Sequence, residues 1–149
     1  NNCNVLFTMF KDFENTKKNN IELKKRAKRK KKNIKIYTAL HIICKNSKNE
    51  ALEFKEMLGT KYSDRKAVKN YLGATSNKLL NKLQKENIKN IATSCGAKVI
   101  CGDYKNVSEE LREVSKIYDG IAMIFLDYHK ELAIINEKIL KKIKSKNFF

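Results

Sequence analysis

The stretch NIKIYTALHIICKNSKNEALEF, residues 33–54, constrains the fold more than any other part of the chain. Residues 34–44 form a β-branched, apolar run of the kind that fills a buried parallel strand. From Ala51 the pattern turns helical, and the polar tetrad Lys45-Asn46-Ser47-Lys48 joins the two. A strand that feeds a helix through a short polar turn sets unpaired helix amides, and the positive end of the helix dipole, at the strand's carboxyl end. Anions bind at such places in α/β folds. The turn is therefore a candidate phosphate site, to be weighed against an ordinary helix start.

The remaining elements alternate in the same manner. "NVLFTMFKDF" is a short apolar opening with Asp12 as a candidate helix cap, and residues 19–32 read as a surface helix with few apolar positions, Ile21, Leu23 and Ala27. After the opening strand and a helix over 50–58, a short strand is expected over 67–72, then a turn at "GATSN" and a helix over 78–93. Strand "AKVICGDY", a helix over 108–116, strand "GIAMIFL" and a last helix from about Lys130 complete the chain. Strands alternating with helices predict a doubly wound α/β fold, with a parallel sheet of about four strands and helices on both faces. No repeat or linker divides the chain, so residues 1–149 are read as one domain. A chain of this size buries roughly 68–70% of the surface its unfolded form exposes.

Charge is lopsided: 33 Lys and Arg against 16 Asp and Glu give a net +17. This suggests an anionic partner, either a small phosphate or a polyanion. The composition is also rich in asparagine and isoleucine, the mark of an AT-rich coding sequence, which weakens the inference. The basic run from Lys24 to Lys32 matches a nucleic-acid patch by composition, and equally a solvated helix face. No apolar run reaches the roughly 18 residues of a membrane helix, and no secretory signal is evident, so no membrane partner and a cytoplasmic or organelle-matrix location are expected. Cys3, Cys44, Cys95 and Cys101 lack metal-ligand spacing and are expected to be reduced. His41, on a strand, reads as a core or interface histidine. No cofactor and no metal are expected.

Several segments, taken in order, resemble the carbamoyl-phosphate-binding domain of the aspartate/ornithine carbamoyltransferase family. "IICKNSKNEALEFKE" stands where that family has a strand, a "STRTR" motif and a helix. "YLGATSNKLLNK" resembles its "YLGPSSSQLGK" loop, and "LDYHKELAIINEKI" its "TDxYHPxQILADLLTI" segment. The resemblance implies a carbamoyl phosphate loop at Ser47, Lys48, Asn49 and Glu50, a carbonyl-polarising His129, and a phosphate contact from Lys78 of a neighbouring subunit in a homotrimer. It also implies loss of chemistry. Asn49 and Gly102 fall on the two family arginines, Glu50 adds a carboxylate, and the ornithine-binding second domain is absent. A guanidinium holds phosphate with a bidentate geometry that no neutral residue reproduces. The expectation is a divergent transferase domain, inactive alone. Its alternatives are a nucleic-acid-binding module using the Lys24 to Lys32 helix and a non-catalytic oligomerising subunit. Ser47 retains a second reading as a helix N-cap, and His129 as a cap of the last helix.

Overall fold

The computed structural model describes residues 3–75 and 84–141, with side chains at 72–75 and 84–87 left aside. In chain order the elements are β1 (Val5–Phe7), α1 (Phe13–Arg29), β2 (Lys35–Lys45), α2 (Lys48–Gly59), α3 (Arg65–Thr75), α4 (Gln84–Ser94), β3 (Lys98–Asp103), α5 (Tyr104–Ser115), β4 (Gly120–Ile124) and α6 (Tyr128–Ile135). A π-helical segment, Asn136–Leu140, continues α6.

Strand β2 is the spine of the sheet, because each of the other three strands pairs with it, all in parallel. Strands β3 and β4 both pair with Leu40 and His41 and must therefore lie on opposite edges of β2. Alternation of side chains along β2 supplies two cores. Ile36, Leu40 and Ile42 face one side with Ile100, beneath Val107, Leu111 and Val114 of α5 and Ile135 and Ile139 of the last helix. Ile43 faces the other side with Val99 and Cys101, beneath Ala51, Phe54 and Leu58 of α2. The crossover from β2 to β3 thus uses one face and that from β3 to β4 the other, which makes the sheet doubly wound, with helices on both faces.

The caps explain where the helices begin. Asp12 accepts the Asn15 amide at 2.8 Å, Ser47 the Glu50 amide at 3.2 Å, Asp103 the Lys105 and Asn106 amides at 2.9 Å each, and Asp127 the Lys130 amide at 3.2 Å. Each supplies an acceptor to otherwise unpaired first-turn donors. Because Asp103 caps α5, that helix starts earlier than the expected 108. Helix α1 likewise starts earlier, at Phe13, and docks through a polar row as well as Leu23. The Asn20 amide donates to Ile117 O at 2.8 Å, and Lys24 pairs with Asp119 at 2.8 Å. Asp119 also accepts the Ile36 amide at 2.8 Å. Burial alone would push its carboxyl up, but Lys24 and the Ile36 amide outweigh that and hold it below the ordinary value. So the basic run begins with a lysine that anchors α1 to the sheet.

One expected element is wrong in kind. Residues 67–72, expected as a strand, lie within α3, whose start is capped by Asp64 accepting the Ala67 amide at 2.9 Å. Among its described side chains, residues 67–71, only Val68 is buried, so the segment shows no strand-like buried face. Of the expected "GATSN" turn, Gly73 to Thr75 belong to α3, and the rest lies outside the described residues, as does the start of the expected 78–93 helix. None of the described helices is long and apolar enough to cross a membrane.

Candidate functional site

Strands β2 and β4 are neighbours whose following helices, α2 and α6, go to opposite faces of the sheet. Such a switch point leaves a crevice outside the carboxyl ends of the strands. The cleft found there has a volume of about 460 Å³, within the range of small-molecule sites. Its floor is Ile42 and Cys44, its walls are Phe54, Tyr104 and Phe125, and its polar rim includes Asn46, Glu50 and Asp127.

Four of the five charged side chains of the cleft, all but Glu50, have partners. Glu131 accepts the Leu126 amide at 2.9 Å and the Asp127 amide at 3.0 Å, closing the loop after β4. Lys45 lies 3.8 Å from the other oxygen of Glu131 and 4.1 Å from the centre of the Phe54 ring, a geometry that favours a partly desolvated cation. Lys130 is 3.6 Å from Asp127, whose carboxyl sits below its ordinary value chiefly because it accepts the Lys130 amide. Across the mouth, the Tyr104 hydroxyl donates to Asn46 Oδ1 at 3.1 Å. Cys44 is no nucleophile. Burial first, and Asp103 second, push its thiol up to about 12, leaving it protonated at neutral pH.

The sequence-derived site residues are only partly brought together. Glu50 lines the cleft, whereas Ser47, Lys48 and Asn49 do not. Ser47 is the N-cap of α2, and Lys48 and Asn49 are exposed on its first turn. His129 points elsewhere on α6, bordering a separate surface depression with Tyr128, Leu132 and Asn136. Lys78 lies outside the described residues. Gly102 is not an arginine position emptied of its side chain: a Cβ there would meet Asn106 Cβ at 3.0 Å, so the first turn of α5 requires a small residue. The residues missed from sequence are Phe54, Tyr104, Phe125, Asp127, Lys130 and Glu131. Asp127 and Glu131 cap each other's ends of the turn, but their spacing of four is one more than the capping box, so the sequence pattern does not flag them.

His41 is buried, 5% exposed, and its Nδ1 has no hydrogen-bond partner. Burial pushes its pKa below the ordinary 6.5, against the opposing influence of the Thr93 backbone and Glu131. The unfolded chain takes up this proton more readily than the folded one, so stability is full above about pH 6.5 and falls as the pH drops below it. The urea midpoint is expected to be lower at about pH 5.5 than at about pH 7.5, and His41→Leu should flatten that difference. An equal pH dependence in the variant would assign it to other groups.

No protein-family model matches this sequence, and no curated protein matches it. Its fold recurs among solved structures. DmoA from Hyphomicrobium sulfonivorans superposes with a TM-score of 0.77 at 14% identity, over 97% of this chain and 38% of that one. The long-chain alkane monooxygenase LadA gives 0.68 at 19% identity, over 96% and 37%. Riboflavin lyase RcaE, solved with modified FMN and its substrate riboflavin, gives 0.71 at 12% identity, over 96% and 39%. The chain therefore spans less than half the length of each.

These neighbours overturn the carbamoyltransferase resemblance, and with it carbamoyl transfer, a transferase class and a place in arginine metabolism. The physical reason is visible in the turn. A strand, a serine cap and a helix recur throughout α/β proteins, and here Ser47 spends its oxygen on the Glu50 amide instead of leaving that amide for a phosphate.

Proposed function

We propose that this chain contributes to a flavin-type oxidoreductase of the luciferase-like kind, and that the cleft at the β2/β4 switch point receives the flavin's planar ring. The observation that carries this reading is the cleft itself: a crevice lined by Phe54, Tyr104 and Phe125, in a fold shared with a long-chain alkane monooxygenase and a riboflavin lyase. The ring suits the residues present. Phe54, Phe125 and Tyr104 offer apolar and aromatic surface, and Asn46 and Glu50 offer a donor and an acceptor to a heteroaromatic edge. A bound flavin supplies electron and hydride transfer. The chain's part is to bind and orient the ring, and to keep water from one of its faces with Ile42 and Phe125.

Binding tests the reading directly. Titration of the purified chain into riboflavin is expected to quench flavin fluorescence in a saturable manner. Ile134→Trp, which fills the cleft from its partly exposed rim, is expected to weaken binding at least about tenfold without unfolding the chain. Saturable binding that Ile134→Trp leaves intact would place the ring elsewhere, and absence of quenching would remove the reading.

A further inference from the structure

We infer that the cleft selects an uncharged planar ring and rejects its phosphate ester, so that it takes riboflavin in preference to FMN; this rests on the flavin reading above and specifies its ligand.

Several of the helix amides that could hold a phosphate, those of Glu50, Lys105, Asn106 and Lys130, already have side-chain acceptors. Three helices contribute to the cleft, and the start of each is capped by a side chain: α2 by Ser47, α5 by Asp103 and α6 by Asp127. Two of these caps are carboxylates, which cancel the positive end of the dipole that a phosphate needs. Glu131 takes the two amides of the loop preceding α6. Anion binding would have to displace these acceptors.

The lining charges lead to the same conclusion. The cleft carries Lys45 and Lys130 against Glu50, Asp127 and Glu131, a net charge of −1. Both lysines are committed, Lys45 to Glu131 and Phe54, Lys130 to Asp127. The whole chain is +17, so the cleft has the sign opposite to the molecule around it. A flavin phosphate is drawn to the chain's lysine-rich surface but repelled at the site itself. What the cleft leaves available suits a neutral edge. The Asn46 amide NH₂ is free to donate once its oxygen has accepted Tyr104, and the Glu50 carboxylate is free to accept an N–H.

Parallel titrations of the full chain with riboflavin and with FMN, at one ionic strength, test this. Riboflavin is expected to bind at least about tenfold more tightly than FMN, and Glu50→Lys is expected to bring the two within about threefold of each other. FMN binding as tightly as riboflavin would overturn the inference while leaving the flavin reading in place. A preference for riboflavin that Glu50→Lys leaves unchanged would also overturn it, by showing that bulk and not charge excludes the phosphate. Absence of binding by either ligand would remove both.

Discussion

Ile42→Ala is expected to destabilise the chain by about 2–5 kcal/mol, the usual cost of truncating a fully buried aliphatic side chain. Ile42 is 1% exposed, lies opposite Ile100 in the β2/β3 register, and belongs to the core shared by α5 and the last helix. Against a typical domain stability of about 5–15 kcal/mol, that loss is large enough to be seen as a clear fall in the urea midpoint at unchanged slope. The same side chain floors the cleft, so its truncation also removes apolar surface from beneath the proposed ring. Ile42→Val, which keeps the β-branch, is expected to cost about 0.5–1.5 kcal/mol. Ile124, 37% exposed on β4, supplies the control. An equal midpoint shift for Ile42→Ala and Ile124→Ala would contradict the two-core description.

Much of this architecture was legible because β2, β3 and β4 are apolar runs whose type does not depend on distant partners. Lys35–Lys45 is buried on both faces, and its composition says so. Besides the early start of α1 behind its Asp12 cap, two errors of element type or extent have different causes. Residues 67–72 contain Ala, Val, Tyr and Leu, which fit a short strand as well as a helix, and the Asp64 cap decides between them. Helix α5 starts before the expected 108 because Asp103, the last residue of β3, is also its cap. The site was half legible. The turn after β2, which the sequence singles out, borders the cleft through Asn46 and Glu50.

Its chemistry was misread because net charge says how many lysines a chain has and not where they point. Lys45 belongs to the turn that reads as a candidate phosphate site, but the fold brings Glu131 to it from α6, a tertiary pairing that no local pattern encodes. Ser47 shows the complementary limit. A serine before a helix is the same letter whether its hydroxyl serves a ligand or the helix, and only the 3.2 Å contact with the Glu50 amide assigns it to the helix.

The importance of Glu131 follows from that pairing, and its removal is expected to be the second most damaging change. One of its oxygens serves the Leu126 and Asp127 amides and the other lies near Lys45, with the side chain only 15% exposed. Glu131→Ala leaves two amide donors and a half-buried ammonium without their acceptor. Each orphaned donor costs about 1–3 kcal/mol, but the cleft is open enough for water to repair part of the loss, so about 2–4 kcal/mol is expected in total. Glu131→Gln keeps an oxygen for the amides and the shape of the side chain while removing the charge, and is expected to cost about 1 kcal/mol. Urea unfolding of the two variants distinguishes the roles. If Gln is as damaging as Ala, the ion pair with Lys45 and not the amide cap holds the loop, and the description of Glu131 as a reciprocal cap fails. If Gln is mild, the same variant becomes a probe of the cleft, because it moves the lining charge from −1 to 0 and frees Lys45. Its preference for riboflavin over FMN should then shrink in the direction set by Glu50→Lys, although the two substitutions sit on different helices and share only the electrostatic field of the cleft.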